Sequence, residues 1–435
     1  MSLTPGKSSG KAPQEPKARK SAWLQFIKSI VSFQGDLTSL TAPPFLLAPY
    51  SIVEFSTYWA EYPRLFIAPA LEESAEKRAL LVAQWFLSTL RRQHASKEDD
   101  GTSKRMKPLN PFLGEIFLGQ WVDRDSDGSI GITELVSEQV SHHPPATACR
   151  IWNEKHGVEF DSLVIPRAYF SSQVKIERLG YSSLRIPRYV ETHYITMPPA
   201  HVEGMLSFQL NLELRGVSHI VSSSGFTTRF EYTGKGWLGK GESNSFKATI
   251  SSALPSSEQN EKRKQNGEDE ILYILQGQWS GSYTVTDARS GAVLETVDLA
   301  ALKRTPLTVA PLQDQHPLES RRAWQHVVTE LLNDDMLGVS REKSKVENAQ
   351  RALRKEEKED GRIWERRYFS AVDTDPLAEE LRSVIEAEVG EKYMKNTGVA
   401  CWKFDLEKYR AILAGMMVED RYQGEDMRGE KKYAA

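Results

Sequence analysis

The stretch from about residue 112 to about residue 300 consists of short runs in which apolar and polar residues alternate. Such alternation places the apolar side chains on one face of a β-strand. The clearest runs are Glu115–Trp121, Met205–Leu214, Phe226–Tyr232 and Tyr273–Trp279. Clusters of Gly, Pro, Asn and Ser separate the runs, and no helical pattern intervenes. The stretch therefore predicts many consecutive strands, which favours a meander that closes into a barrel or forms one large sheet.

The two ends of the chain predict helices. Near the N-terminus, one apolar helix face is formed by Trp23, Phe26, Ile27, Ile30 and Val31. The opposite face carries mostly uncharged polar residues, namely Gln25, Lys28, Ser29 and Ser32. A helix of this kind fits either a protein core or the surface of a loosely packed, curved membrane, and the sequence leaves both interpretations open.

Other segments beyond the alternating runs also have a predicted conformation. Further helices are predicted over Glu76–Arg92, Leu318–Leu332 and the charge-rich residues 340–358. The charged insertion Ser256–Glu270 is expected to be a disordered loop, and Gly234–Gly239 is expected to form a hairpin. No internal repeat is recognisable, which disfavours solenoids and propellers.

Charge and cysteine content exclude several classes of protein. The net charge is −3, so the chain is not a nucleic-acid binder by bulk electrostatics. Cys149 and Cys401 lie far apart and form no CxxC motif, which disfavours disulfides and zinc sites and fits a reducing compartment. No apolar run reaches about 20 residues and no signal peptide is recognisable. We therefore expect a soluble, cytoplasmic protein that meets membranes only at their surface.

The most unusual segment is Glu138–Pro145, which reads Glu-Gln-Val-Ser-His-His-Pro-Pro. Pro144 favours an extended conformation for His143, so two imidazoles are expected to project from a stiff backbone at a strand end. Their N–H groups can donate to phosphate or carboxylate oxygens. A metal-binding pair, a general base oriented by Glu138 and a structural histidine pair are the alternatives.

Two basic segments could contribute to an anion site. The loop Lys104–Pro111 contains two prolines, so Lys107 and Asn110 would present a cation and an amide in a defined geometry. On the charge-rich helix, i, i+4, i+8 spacing places three residues on one face, namely Lys343, Glu347 and Arg351. The plainer interpretations are solvated loop charges and a salt-bridged solvent face. No GxSxG, GxGxxG or P-loop motif is present.

The segment Glu138–Pro145 resembles the fingerprint of the oxysterol-binding-protein-related family. Six further segments resemble family blocks in family order: Gly35–Phe45, Lys107–Glu115, His201–Met205, Gly277–Gly281, Gln315–Arg321 and Leu353–Glu357. The resemblance extends over about residues 21–370. Because little chain precedes it, the sequence is most similar to short, single-domain fungal members that lack pleckstrin-homology and ankyrin regions.

The resemblance implies a mainly β fold with helices. It comprises a near-complete antiparallel β-barrel enclosing a lipid tunnel, an N-terminal helical lid and a C-terminal helical region. The corresponding division of the chain is 1–20 disordered, 21–45 lid helix and lid-to-barrel segment, 46–110 helical region, 111–316 barrel, and 317–435 helical region and tail.

The resemblance also implies a site for the headgroup of phosphatidylinositol 4-phosphate (PI4P). Matched motif by motif, the headgroup ligands are Lys107, Asn110, His142, His143, Lys343, Glu347 and Arg351. Backbone contacts from the lid side and the neighbouring loop are implied for Leu37, Thr38, Ser39, Leu40, Thr41, Ala42, Pro108 and Leu109.

The second implied ligand is a sterol, whose hydroxyl would meet Gln93 at the tunnel floor. The family's sterol carriers usually have an aromatic residue after this glutamine, and here it is His94. They also tend to carry a Gly-Tyr-Asn-like run on an early strand, where this chain has Ser162–Val164. The water network around a sterol hydroxyl would therefore differ, and phosphatidylserine is the alternative cargo.

The implied activity is exchange of PI4P for a sterol between membranes, without an enzymatic step and without a cofactor or metal. The lid would sense the bilayer through Trp23, Phe26 and Ile30. The alternatives are a lipid sensor that regulates PI4P and, from another class, a lipid hydrolase that uses His142 and His143. We expect a monomer that visits ER-type and Golgi-type membranes transiently and binds no nucleic acid.

Overall fold

The computed structural model describes residues 16–40, 42–94, 107–122, 128–205, 210–234, 242–252, 270–372, 376–389 and 401–414. Its α-helices are α1 (Pro16–Ser32), α2 (Pro63–Leu71), α3 (Ala75–His94), α4 (Ser320–Ala323), α5 (Gln325–Leu332), α6 (Met336–Glu359), α7 (Pro376–Val389) and α8 (Leu406–Leu413). Short 3₁₀ helices cover Leu37–Ser39, Pro44–Leu46, Ile52–Trp59 and Pro187–Tyr189.

The strands occupy the middle of the chain. The first nine are β1 (Leu47–Ser51), β2 (Lys107–Leu109), β3 (Ile116–Val122), β4 (Ile132–His142), β5 (Pro145–Asn153), β6 (Val158–Phe170), β7 (Val174–Ile186), β8 (Glu191–Ile195) and β9 (Ala200–Glu203). The others are β10 (Asn211–Leu214), β11 (Gly216–Ser222), β12 (Phe226–Thr233), β13 (Ser245–Ser252), β14 (Glu270–Gln278), β15 (Ser282–Asp287), β16 (Val293–Asp298), β17 (Leu307–Thr308), β18 (Phe369–Val372) and β19 (Cys401–Phe404).

One sheet of 15 strands dominates the fold, in the order β16-β15-β14-β13-β12-β11-β8-β7-β6-β5-β4-β3-β17. Strand β9 pairs with β7, and β10 pairs with β9. All pairings in this sheet are antiparallel. The predicted mainly β fold with helices and a large antiparallel sheet is therefore confirmed. Among the described strands, β16 and β17 form the two ends of this order.

Both faces of the sheet are covered around β4, whereas the edge strand β16 is mostly exposed. On one face, aromatic residues of α3 pack against strands, with the rings of Phe86 and Phe230 5.1 Å apart and those of Trp85 and Phe160 5.6 Å apart. On the other face, Val136 and Val140 share a second core with residues of the C-terminal helices. Coverage on both sides at β4 explains why residues 135–140 are all buried.

Several predicted boundaries differ from the structure. Helix α1 begins at Pro16, inside the segment predicted to be disordered, because proline suits a first helical turn and Lys, Ala and Arg follow it. Of the predicted strand Met205–Leu214, the structure confirms Asn211–Leu214 as β10, whereas Met205 and Leu210 lie outside strands and residues 206–209 are not described. The predicted helix Leu318–Leu332 is divided at Trp324 into α4 and α5.

Some predicted segments fall outside the described residues, and two regions predicted as helical also contain strands. Residues 1–15, 235–241 and 253–269 are not described, so the predicted N-terminal disorder, hairpin and insertion loop are untested there. The parallel pair β1–β2 lies in the region predicted as helical, and β18–β19 lies in the C-terminal region. In the part of the chain that is described, no helix is long and apolar enough to cross a bilayer.

Candidate functional site

The histidine pair lies in the tight turn between β4 and β5. His142 is the last residue of β4 and pairs with Pro145, while His143 and Pro144 form the turn. The His143–Pro144 peptide bond is cis, and Ser141 Oγ donates to the Pro144 carbonyl at 2.7 Å. The two imidazoles are exposed and meet edge to face, with ring centroids 4.4 Å apart. Two neighbouring donors are thus presented at one end of the sheet.

Lys107 and Asn110 lie beneath the segment that follows α1. Lys107 Nζ donates to the Leu40 carbonyl at 2.8 Å, and Asn110 Nδ2 donates to the Thr38 carbonyl at 3.3 Å. Burial and the nearby charge of Lys343 lower the pKa of Lys107 to about 8, which Asp36 partly opposes. The ammonium of Lys107 is therefore a poorly solvated cation beside a second cation.

The predicted face of the charge-rich helix is present on α6. The Lys343 ammonium donates to the Glu347 carboxylate, and Arg351 Nη2 lies 3.5 Å from the other oxygen of the same carboxylate. The exposed fraction of the side chains rises along the face, from 18% for Lys343 to 71% for Arg351. The side chain of Lys343 thus lies mostly within the protein, whereas that of Arg351 lies mostly in solvent.

The charges of the Lys107 loop, the β4–β5 turn and α6 influence one another. Lys343 on α6 is close enough to Lys107 to lower its pKa. Desolvation and the neighbouring His143 lower the pKa of His142, with a further lowering by Arg354 and an opposing influence of Glu347. An anion bound between the loop, the turn and α6 would relieve the repulsion among these cations. Arg354, one turn beyond Arg351, was not among the predicted residues.

The predicted backbone contacts of the lid segment are already engaged in this arrangement. The Thr38 amide donates to Asp36 Oδ1 at 2.9 Å, and the Leu40 amide donates to the Leu37 carbonyl at 3.0 Å. Asp36 Oδ1 also accepts from the Ala168 amide at 3.0 Å, which fastens the segment to β6. The segment therefore presents carbonyl oxygens, rather than these two amides, to the loop below.

The other residues predicted to offer backbone contacts to the PI4P headgroup lie in different surroundings. Ala42 and Pro108 line the cavity described below, whereas Leu109 is fully buried in the second core. Thr41 and the side chain of Ser39 lie outside the described residues.

Helix α1 covers a cavity with its apolar face. Trp23 is 3% exposed, and its indole N–H donates to the Met205 carbonyl at 3.1 Å. Phe26 and Ile30 line the same cavity, whereas Leu24 on the opposite face is 49% exposed. Of the two interpretations that the sequence leaves open, the described arrangement has the apolar face packed against protein.

The cavity has a volume of about 600 Å³ and is enclosed by α1, β6, β7, β9 and the C-terminal end of α3. Its mouth carries Lys107 and Asn110, and its walls are mainly apolar. The volume falls within the range of about 300–1,000 Å³ that is usual for small-molecule sites. A mainly apolar cavity with a cation and an amide at its mouth suits an amphipathic ligand.

The predicted sterol contact, Gln93, lines this cavity together with His94 and Val164. Sequence reasoning did not identify Arg178 on β7, which lines the cavity beside them. Its signal in the sequence is an arginine at a position where strand alternation requires an inward-facing, apolar residue.

Glu138 does not orient a histidine. Its two carboxylate oxygens accept from the backbone amides of Arg367 at 2.7 Å and Tyr368 at 2.8 Å. Burial raises the pKa of Glu138 to about 7. The carboxyl group therefore fastens the C-terminal segment to β4. Within the described ranges, no group of three or more His, Cys, Asp or Glu residues could hold a metal ion.

Two curated fungal proteins are similar to this chain in sequence. "Probable transporter efuK" of Hormonema carpetanum is 41% identical over 382 residues, which cover 88% of the chain and 52% of that protein. The chain thus spans about half the length of this relative. "Protein kes1" of Schizosaccharomyces pombe is 40% identical over 379 residues, which cover 86% of the chain and 93% of that protein.

Solved structures share the fold. The Osh1 ORD domain in complex with cholesterol has a TM-score of 0.65 at 19% identity, with 93% of this chain and 91% of that chain covered. The Osh3 ORD in complex with PI(4)P from Saccharomyces cerevisiae has a TM-score of 0.60 at 19% identity, with 89% and 98% covered. The family model described as "Oxysterol-binding protein" matches residues 23–409. On this match and on the similarity to the kes1 protein, the chain belongs to the oxysterol-binding protein family.

Proposed function

We propose that this chain is a lipid-transfer protein that exchanges PI4P for a sterol-like lipid between membranes. The observation that carries the proposal is Lys107, which lines an apolar cavity and lies close enough to Lys343 of α6 to feel its charge. His142 is influenced in turn by Glu347 and Arg354 of the same helix. Family membership supports lipid binding, and neighbours in fold hold cholesterol or PI(4)P.

In this proposal the phosphate of PI4P is bound where the cations meet. Lys107 and Lys343 supply ammonium groups, Arg351 supplies a guanidinium, and the two histidines donate from the β4–β5 turn. Asn110 and Glu347 would contact inositol hydroxyls, and Glu347 also holds the side chains of Lys343 and Arg351 in place. A bound phosphate would stabilise the site by opposing the repulsion between Lys107 and Lys343.

The lid segment takes part in binding. Lys107 and Asn110 donate to the carbonyls of Leu40 and Thr38, so a headgroup would compete with those contacts. We infer that residues 37–42 shift on binding and then offer backbone contacts together with Pro108 and Leu109. The same shift would release the apolar face of α1, namely Trp23, Phe26 and Ile30, towards a bilayer.

The apolar body of the lipid would occupy the cavity. Each Å² of apolar surface removed from water stabilises the complex by about 25 cal/mol, so several hundred Å² amount to roughly 10 kcal/mol. We propose that the sheet and helices form a near-complete barrel around one lipid, with Gln93 near its inner end. Because both lipids use one cavity, they compete, and a PI4P gradient between membranes drives exchange without any bond being made or broken.

The wider setting is proposed from family membership. The protein would act as a monomer and visit ER-type and Golgi-type membranes transiently, with its residues divided into the lid, helical, barrel and C-terminal regions predicted above. Phosphatidylserine as the second lipid and a sensor role are the alternatives within the same class. A hydrolase is disfavoured because both oxygens of Glu138 are bonded to backbone amides.

The proposal is tested by PI4P transfer between phosphatidylcholine liposomes. We expect His142→Ala/His143→Ala to reduce PI4P transfer at least tenfold, because two phosphate donors are lost. A matched control is His156→Ala, since His156 follows the opposite end of β5, about 30 Å along the strand. Equal PI4P transfer by the wild type and the double variant would refute the headgroup assignment.

A further inference from the structure

Strand β7 brings a cation to the inner part of the cavity. Val174, Ile176 and Arg178 line the cavity, whereas Lys175 and Glu177 lie on the opposite face and pair with each other at 2.7 Å. Val174 shares a small apolar cluster with Ile30 of α1 and Leu37. At about 3.3 Å per residue, Arg178 lies about 13 Å farther along the strand, away from the lid. An arginine is therefore placed deep in a cavity whose walls are otherwise mainly apolar.

Arg178 controls the hydrogen bonding of its neighbours. Its Nη1 donates to Gln93 Oε1 at 2.5 Å, and its Nη2 lies 2.5 Å from His94 Nε2. Because a guanidinium only donates, His94 Nε2 must be the acceptor, and the imidazole is neutral with its proton on Nδ1. Gln93 Nε2 donates to Thr89 Oγ1 at 3.0 Å. The amide oxygen of Gln93 is thus turned towards Arg178.

This arrangement discriminates between oxygen groups of a ligand. A hydroxyl both donates and accepts, so its proton needs an acceptor. In the Gln93–His94–Arg178 cluster, the single lone pair of His94 Nε2 is engaged by the guanidinium, and Gln93 Oε1 already accepts one guanidinium N–H. A hydroxyl proton would therefore have to share the Gln93 oxygen with the cation. A ketone or carboxylate oxygen needs donors only, and a carboxylate also matches the charge of arginine.

We propose that Arg178 is a specificity-determining residue, and that the cargo exchanged for PI4P is a polycyclic lipid with an acceptor-only oxygen, a ketone or a carboxylate, at its inner end. The inference rests on the proposed function in that the cargo occupies this cavity, and it specifies the chemical class of that cargo. A plain 3-hydroxysterol binds, but more weakly.

The test compares three probes that share one ring system: cholesterol, cholest-4-en-3-one and cholesteryl hemisuccinate. Wild type should bind the ketone and the carboxylate on the order of tenfold more tightly than cholesterol, because the hydroxyl proton must share the Gln93 oxygen with the guanidinium, whereas an acceptor-only oxygen meets only donors. Arg178→Gln should abolish this preference, since an amide both donates and accepts. Arg178→Lys should keep the preference for the carboxylate because it keeps the charge.

Lys175→Gln is the matched control, because it removes the same charge from the opposite face of β7 and should leave all three affinities unchanged. A merely structural role for Arg178 would lower the thermal stability of Arg178→Gln and leave the order of affinities as in wild type, which overturns the inference. If Arg178→Gln does not fold, the wild-type order decides, and cholesterol binding at least as tightly as the ketone and the carboxylate overturns it.

Different results would overturn the role of Arg178 and the proposed lipid transfer. Binding of PI4P without any preference among the three probes overturns only the role of Arg178. Folded protein that binds neither PI4P nor any of the probes overturns the proposed function itself.

Discussion

At the scale of single residues, the lowered pKa of Lys107 makes the proposed binding of PI4P dependent on pH. Burial and the charge of Lys343 lower its pKa to about 8. A bound phosphate would raise that pKa, because an opposite charge favours the ammonium form. Below about pH 8 the ammonium is present with or without lipid, and above it lipid binding must take up a proton.

We therefore expect the affinity for PI4P to fall as pH rises from about 8 towards the higher pKa of the bound state. Calorimetric titration with a soluble, short-chain PI4P between about pH 7 and 10 measures this dependence. Lys107→Arg is the control, since a guanidinium stays charged over this range and should remove most of the dependence. Equal pH dependence in the wild type and the arginine variant would contradict the assignment of Lys107 to the phosphate site.

The residues of the site differ in how far sequence could predict them. The spacing of Lys343, Glu347 and Arg351 predicts a shared helix face, but only the family resemblance places that face beside Lys107. The reason is that proximity between residues distant in the chain depends on the whole sheet. Arg178 has a local signal, the interruption of an apolar strand face, but its partners Gln93 and His94 come from another element.

At the scale of elements, α1 covers the cavity with one face only. Trp23 is buried over the cavity and bonds to the Met205 carbonyl, whereas its neighbour Leu24 is 49% exposed. We expect Trp23→Ala to speed lipid loss to a soluble cyclodextrin acceptor several-fold, because a large apolar contact and a hydrogen bond are lost.

Leu24→Ala is the matched control, since it truncates an adjacent apolar residue on the other side of the same helix. It should retain lipid as the wild type does when no membrane is present. Equal rates of loss for wild type and Trp23→Ala would show that α1 does not close the cavity.

Strand β4 shows why the local sequence pattern alone could not predict the surroundings of Glu138. Alternation predicts strands correctly where one face meets water, but residues 135–140 are buried on both faces. Glu138 therefore lies inside the protein, bonded to the amides of Arg367 and Tyr368. Nothing near the motif in sequence indicates these partners. From the sequence, only the family resemblance favoured a phosphate-binding role for His142 and His143 over a catalytic one; the local pattern left both open.

At the scale of the whole molecule, the account depends on a single shared cavity. The sheet, the lid and the end of α3 enclose about 600 Å³, with the proposed phosphate site at the mouth and Arg178 within. The many consecutive strands were predictable from alternation, and the sheet order follows largely because sequential strands pair. The volume and lining of the cavity depend on packing between distant elements, so the sequence alone could not predict them.

The most direct test of this account is native mass spectrometry of the full chain titrated with PI4P after loading with cholest-4-en-3-one. The account predicts that each chain carries one lipid, and that PI4P replaces the ketone mole for mole with no doubly loaded species. A substantial population of chains carrying both lipids at once would contradict competition for one cavity, and with it the proposed exchange.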